Sequence, residues 1–135
     1  MKTAFNTLVF TCIICLSFFT GCKKSSNTSL ANFQPQISNT KDNFQLQATD
    51  VKQVSTTIDY NWSNTGTMAS IDKSGVVTAG TANILIYDNN GTNVYASSLK
   101  ATGSETTNAG VAGLWKIRLV LSGYDGTLNF RVQKK

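Results

Sequence analysis

The 135-residue chain contains no histidine, and its three cysteines all lie within the first 22 residues. The first absence removes the commonest general base and the commonest metal ligand. The second leaves everything after Cys22 without thiol chemistry or disulfides, so a fold there rests on its apolar core alone. Beyond Asp42 no segment shows a sustained helical stripe. An apolar run of the roughly 20 residues that cross a bilayer is also missing. The longest run, Leu8 to Phe19, has about a dozen residues, the length of a signal-peptide core.

That run follows Met1-Lys2 and closes on Phe19-Thr20-Gly21-Cys22. These four residues resemble a bacterial lipobox, where a lipid is placed on the cysteine and the chain is cut just before it. Gly21 is the small residue the cut requires, whereas Thr11 before Cys12 and Ile14 before Cys15 are not. Phe19 departs from the aliphatic residue the pattern prefers. The resemblance implies a lipoprotein signal peptide over 1–21, cleavage between Gly21 and Cys22, and covalent lipid on Cys22 in place of any cofactor. It also implies a membrane as partner through that lipid, and a place in the cell envelope. With no Asp directly after Cys22, the outer membrane is expected, on its periplasmic or surface side.

The excess of 12 basic over 7 acidic residues is badly placed for nucleic acid. Lys23, Lys24 and Lys41 stand just past the anchor, while the residues from Asp42 onward are nearly balanced. A nucleic-acid binder carries a basic stripe on its folded face. Lysines beside a lipid anchor meet anionic head groups instead.

Residues 22–41, rich in Ser, Thr, Asn and Gln, read as a lipid-anchored polar linker. As random coil, such a tether spans about 24 Å, although Phe33 and Ile37 around Pro35 could dock as an edge strand. From Asp42 to the C-terminus the period is two. Phe44, Leu46 and Ala48 alternate with polar residues, as do Val54 to Trp62, Ala82 to Ile86, Trp115 to Leu121 and Leu128 to Val132. About eight short strands separated by turn signals predict an all-β antiparallel β-sandwich of about seven or eight strands over 42–135. Trp62 and Trp115 are expected in its core.

Asp72-Lys73-Ser74-Gly75 and Asp88-Asn89-Asn90-Gly91 both carry Asp first and Gly fourth, the residues of a tight turn. As bulged hairpin loops they set Ile71 opposite Val77 and Ile86 opposite Val94. A two-residue Asp125-Gly126 loop sets Leu121 opposite Phe130 and Leu119 opposite Val132, keeping apolar with apolar.

No constellation points to catalysis. Ser70-Ile71-Asp72-Lys73 matches Ser-x-x-Lys, but that motif needs a helix to bring Lys beside Ser, and here it lies on a strand. Asp72, Asp88 and Asp125 have turn duties, and nothing sets two of Asp42, Asp50, Asp59 and Glu105 about a water apart. Asp88-Asn89-Asn90-Gly91-Thr92 begins like a calcium loop, but its twelfth position is Leu99 rather than a bidentate Glu, so no metal is expected. The remaining candidate is a binding surface. Tyr87 and Tyr95 are expected on the outer face of their hairpin, and Lys116, Arg118 and Arg131 on the outer face of theirs. Tyrosines there suit sugars or a protein partner.

Asp42-Asn43-Phe44-Gln45-Leu46-Gln47, Tyr60-Asn61-Trp62-Ser63, Gly113-Leu114-Trp115-Lys116 and Gly126-Thr127-Leu128-Asn129-Phe130 stand in that order. They resemble a group of small bacterial secreted or lipid-anchored β domains, to which no catalytic residues are assigned. The expectation is a lipid-anchored, non-catalytic binding or assembly module of the envelope, with an envelope protein or glycan as partner. A carbohydrate-binding accessory lipoprotein is the alternative, and a small envelope hydrolase the third reading.

Overall fold

In the computed structural model, which describes residues 28–135, the chain after a 3-10 turn (Leu30–Phe33) is built from strands. These are β1 (Gln36–Thr40), β2 (Asn43–Asn64), β3 (Ala69–Lys73), β4 (Val76–Tyr87), β5 (Asn93–Ser98), β6 (Gly103–Thr106) and β7 (Gly113–Lys134). All seven pair antiparallel in one sheet. The signal peptide, Gly21 and Cys22 lie outside the described residues.

β2 and β7, each 22 residues long, pair from end to end. Neither keeps one alternation. In β2 the buried positions run Phe44, Leu46, Ala48, then Val51, then Val54 and Trp62; in β7 they run Trp115 to Leu121, then Tyr124, then Leu128 to Val132. Each change of phase is a bulge, where an extra residue bends the strand, and the pairing shifts at Ala48/Val51, Val51/Val54 and Val54/Thr56. Asp50, Gln53 and Gly123 take positive φ in these bends.

The bends fold the sheet onto itself. Phe44 and Tyr60 would sit about 53 Å apart on a straight strand, yet their ring centroids are 5.2 Å apart. The result is a sandwich whose two layers are halves of one sheet. The first half holds β1, the start of β2, the end of β7, β3 and β6; the second holds the end of β2, the start of β7, β4 and β5. Trp62 and Trp115, both fully buried, pair edge to face at 6.0 Å and 89°.

Three bonds fix the bend. The Gln53 backbone N–H donates to Asp125 Oδ1 at 2.6 Å, and the Gly123 N–H to Ser55 Oγ at 2.8 Å. Buried Tyr124 donates its hydroxyl to Val76 O, and burial pushes its pKa up to about 12. At Gly126, φ is 149° and a Cβ would lie 1.9 Å from Val76 O, so only glycine fits.

Two expected hairpins are absent. No Asp125-Gly126 turn forms, because β7 continues through it without reversing; Leu121 meets Thr56 and Ala82, and Phe130 meets Leu46 and Lys73. Nor is there a turn at Asp72–Gly75. β3 and β4 lie end to end along the same side of β7, from Lys73 opposite Phe130 to Val76 opposite Thr127. The Ser74 N–H bridges the gap by donating to Asn129 O. Ile71 therefore faces Val132 and Val77 faces Gly126. Gly75 is there for close approach, since a Cβ would lie 2.5 Å from Thr127 O. The Asp88 turn does form: its Oδ1 accepts from the Asn90 and Thr92 N–H groups, and Gly91 has φ 78°.

The folded unit also reaches back into the stretch read as linker. Gln36–Thr40 is an edge strand on β2, Leu30 is buried, and Thr28 bridges Val54 at the bend.

Candidate functional site

The end of β2, the start of β7 and β4 carry the expected cationic face. Register sets Asp59 opposite Arg118, Asn61 opposite Lys116, and Tyr87 opposite Lys116. Arg118 Nε and Nη2 each donate to one Asp59 oxygen at 2.7 Å, a fork-on-carboxylate pair. Its hydrogen bond holds the Asp59 carboxyl below the usual range. Arg118 and Lys116 also lie over the Tyr87 ring, 5.6 and 6.0 Å from its centroid. A cleft of 350 Å³ opens beside them, rimmed by Asn61, Asn89 and exposed Leu114. Tyr87, Lys116 and Arg118 are thus brought together. The ring a sugar would stack on is already occupied by cations.

Tyr95 and Arg131 are elsewhere. Ile86 faces Tyr95 rather than Val94, because a bulge follows the Asp88 turn and shifts the pairing by one. The slip turns Tyr95 inward, where its hydroxyl donates to Glu105 Oε2 at 2.8 Å. Arg131 belongs to the other outer face of the sandwich, paired with Asp72 at 2.9 Å.

Tyr95 is part of a polar cluster that sequence reasoning did not find. Lys73, whose side chain is fully buried, donates to Glu105 Oε1 at 2.6 Å and to Ser97 Oγ at 2.8 Å. Burial alone would lower the lysine's pKa, but hydrogen bonds to Glu105 and Tyr95 outweigh it and the net shift is upward. A lysine held charged cannot take a proton from Ser97, so this Ser–Lys contact is not a nucleophile and base. Ser70 pairs on the outward face of β3, away from inward Lys73, so the Ser-x-x-Lys spacing brings nothing together.

The outer face of the first half is of another kind. Transverse rows run Thr40, Asn43, Gln133, Ser70, Thr106; then Ser38, Gln45, Arg131, Asp72, Ser104; then Gln36, Gln47, Asn129. Two hollows of 230 and 200 Å³ lie on it and both include Gln45. The signal was present in the sequence as the polar phase between core residues, Asn43-x-Gln45-x-Gln47 and Asn129-x-Arg131-x-Gln133. Among the described residues no three His, Cys, Asp or Glu gather as metal ligands.

No protein-family model matches the chain, and no curated protein does. Solved structures similar to it include the following two. One is a chain in the structure of accessory secretory proteins 1, 2 and 3 of Streptococcus pneumoniae, 10% identical with a TM-score of 0.40, covering 81% of this chain and 91% of that one. The other belongs to a glycosylation-associated protein complex of Streptococcus agalactiae, 12% identical with a TM-score of 0.39, covering 78% of this chain and 40% of that one. At such scores neither likeness carries a functional argument.

Proposed function

We propose that the chain is a lipid-anchored, non-catalytic binding or assembly module of the bacterial cell envelope, held at the outer membrane through Cys22. The observation that carries this reading is Gly21-Cys22 at the end of an apolar run, followed within a few polar residues by a folded β unit. Five residues separate Cys22 from Thr28, and the six steps between them span at most about 20 Å when fully extended. Thr28 bridges Val54, so the tether joins the sandwich at its bent end, which supports that end being the one turned toward the bilayer. Each buried acyl methylene adds about 0.8 kcal/mol, so two or more chains hold the protein firmly.

The carboxylates support a non-catalytic role by their engagement. Asp42 accepts from Thr65 and pairs with Lys134, Asp59 holds Arg118, Asp72 holds Arg131 and Glu105 holds Lys73. Asp88 accepts three backbone N–H groups and Asp125 two donors of Gln53. Asp50 is the exception, with no partner among the described residues, so a hydrolase would need at least one of these freed beside it. A carbohydrate-binding role through Tyr87 and Tyr95 is disfavoured by the covered ring of one and the burial of the other. Cys22→Ser is expected to abolish fatty-acid labelling and to move the protein from membrane to soluble fraction. Labelling of that variant at the wild-type level would refute the anchor.

A further inference from the structure

The geometry points to the amide-rich outer face of the first half as a binding surface for an uncharged, hydroxyl-rich ligand, a neutral glycan. This rests on the binding-module reading and names its ligand class. Among the described residues, the side-chain amides of Gln36, Asn43, Gln45, Gln47, Asn129 and Gln133 have no hydrogen-bond partner within the protein. Each therefore presents both donors and an acceptor outward. The sheet spaces them on a lattice of about 4.8 Å across strands and about 6.8 Å along them. A lattice fixed by backbone pairing needs little ordering before it binds.

Charge and shape narrow the ligand further. The rows hold one cation and one anion, Arg131 and Asp72, and these neutralise each other at 2.9 Å. Ser104 donates to the same carboxylate, so the middle row offers no net charge to a polyanion or a polycation, and a further cation, Lys135, reaches Thr106 Oγ1 only at the end of the first row. No large apolar side chain stands in the rows, and exposed Ile37 lies at the rim of one hollow. An apolar protein surface or a lipid is thus unmatched. The two hollows share Gln45 as a lining residue and lie side by side across β1, β2, β7 and β3. A chain of sugar rings laid along them would donate hydroxyls to the amide carbonyls and accept from their N–H groups. The opposite outer face has its principal charges and its tyrosine ring already committed to one another.

The test is affinity electrophoresis of the full-length protein, extracted in a polyoxyethylene detergent that carries no sugar. Gels contain dextran, galactomannan or laminarin, with polygalacturonate as the charged comparison. At least one neutral polysaccharide is expected to retard the protein. Gln45→Glu and Asn129→Ala should each weaken that retardation at least tenfold, while Asn83→Ala, on the opposite outer face, should not. All three are surface changes, and unfolding at the wild-type temperature confirms that lost binding is not lost fold. Free migration through every neutral gel, retention unchanged in both face variants, or retardation by polygalacturonate alone would overturn the proposal. Fatty-acid labelling at Cys22 is scored on the same preparation. A labelled protein that ignores the neutral gels ends the glycan reading and keeps the anchor; an unlabelled protein that is retarded does the reverse.

Discussion

Trp115→Ala is expected to destabilise the protein by about 3–5 kcal/mol, as for a fully buried Trp or Phe replaced by Ala. Trp115 has no exposed surface, lies directly opposite Trp62 on the neighbouring strand, and meets it edge to face. Its indole N–H donates to Val111 O at 2.7 Å, so the same side chain holds down the segment leading into β7. Alanine would leave a cavity, deprive Trp62 of its partner ring and free that segment. Natural domains have only about 5–15 kcal/mol in total, so the melting temperature should fall by about 12 °C or more. Leu114→Ala is the control one residue away. Leu114 is 58% exposed, and its replacement should change stability by no more than about 0.5 kcal/mol. Urea or thermal unfolding measures both. A Trp115→Ala protein that unfolds with wild type would show that the two tryptophans do not centre the core.

The residues that made this core legible did so through period alone. Phe44, Leu46 and Ala48, or Trp115 to Leu121, face inward wherever such strands pair, and all are buried. Pairing partners are another matter, because they are set by distant segments. Asp-x-x-Gly gives the same local signal at 72–75 and at 88–91. At 88–91 Asp88 accepts from its own turn and the chain reverses. At 72–75 the unbroken edge of β7 offers partners before and after the glycine, so the chain runs straight on. Asp125-Gly126 failed as a turn for a similar reason: Asp125 binds Gln53 across the sheet, not its own turn. Lengths of 22 residues for β2 and β7 could not be read from patterns that change phase midway, because a change of phase looks like an end.

The candidate site shows the same division. That Tyr87, Lys116 and Arg118 point outward followed from alternation, and their meeting followed from β4 pairing with β7. Tyr95 was misplaced by the single residue of one bulge, since a slip of one turns a side chain to the other face. Arg131 does point outward, but the fold of the sheet sends it to the opposite side of the molecule from Arg118. Nothing local distinguishes the two arginines.

Glu105→Ala should destabilise the fold by roughly 2–3 kcal/mol at neutral pH, and by more than Lys73→Met does. The reason is asymmetry of exposure. The Lys73 side chain is fully buried and the Glu105 side chain is 43% exposed. Removing the carboxylate strands an ammonium in the interior, a loss of the kind that costs about 3–5 kcal/mol when both partners are buried and less when one is wetted. Removing the ammonium leaves a carboxylate that water can reach, and methionine fills the stem's place among apolar neighbours. The contact matters to the architecture because it joins β3 and β6 of the first half to Tyr95 and Ser97 of the second, closing an open side of the folded sheet. The acid dependence has a definite sign. The Lys73 hydrogen bond holds the Glu105 carboxyl below its ordinary 4.5. The folded state therefore keeps this carboxylate ionised where the unfolded chain would protonate it. Its stabilisation is complete above the ordinary value and is lost as pH falls through the lowered one. Unfolding free energies of wild type and Glu105→Ala should accordingly stay a constant distance apart at neutral pH and converge in acid. A gap independent of pH down to the acid limit, or a Lys73→Met protein weaker than Glu105→Ala, would mean that the pair is not what fastens the two halves together.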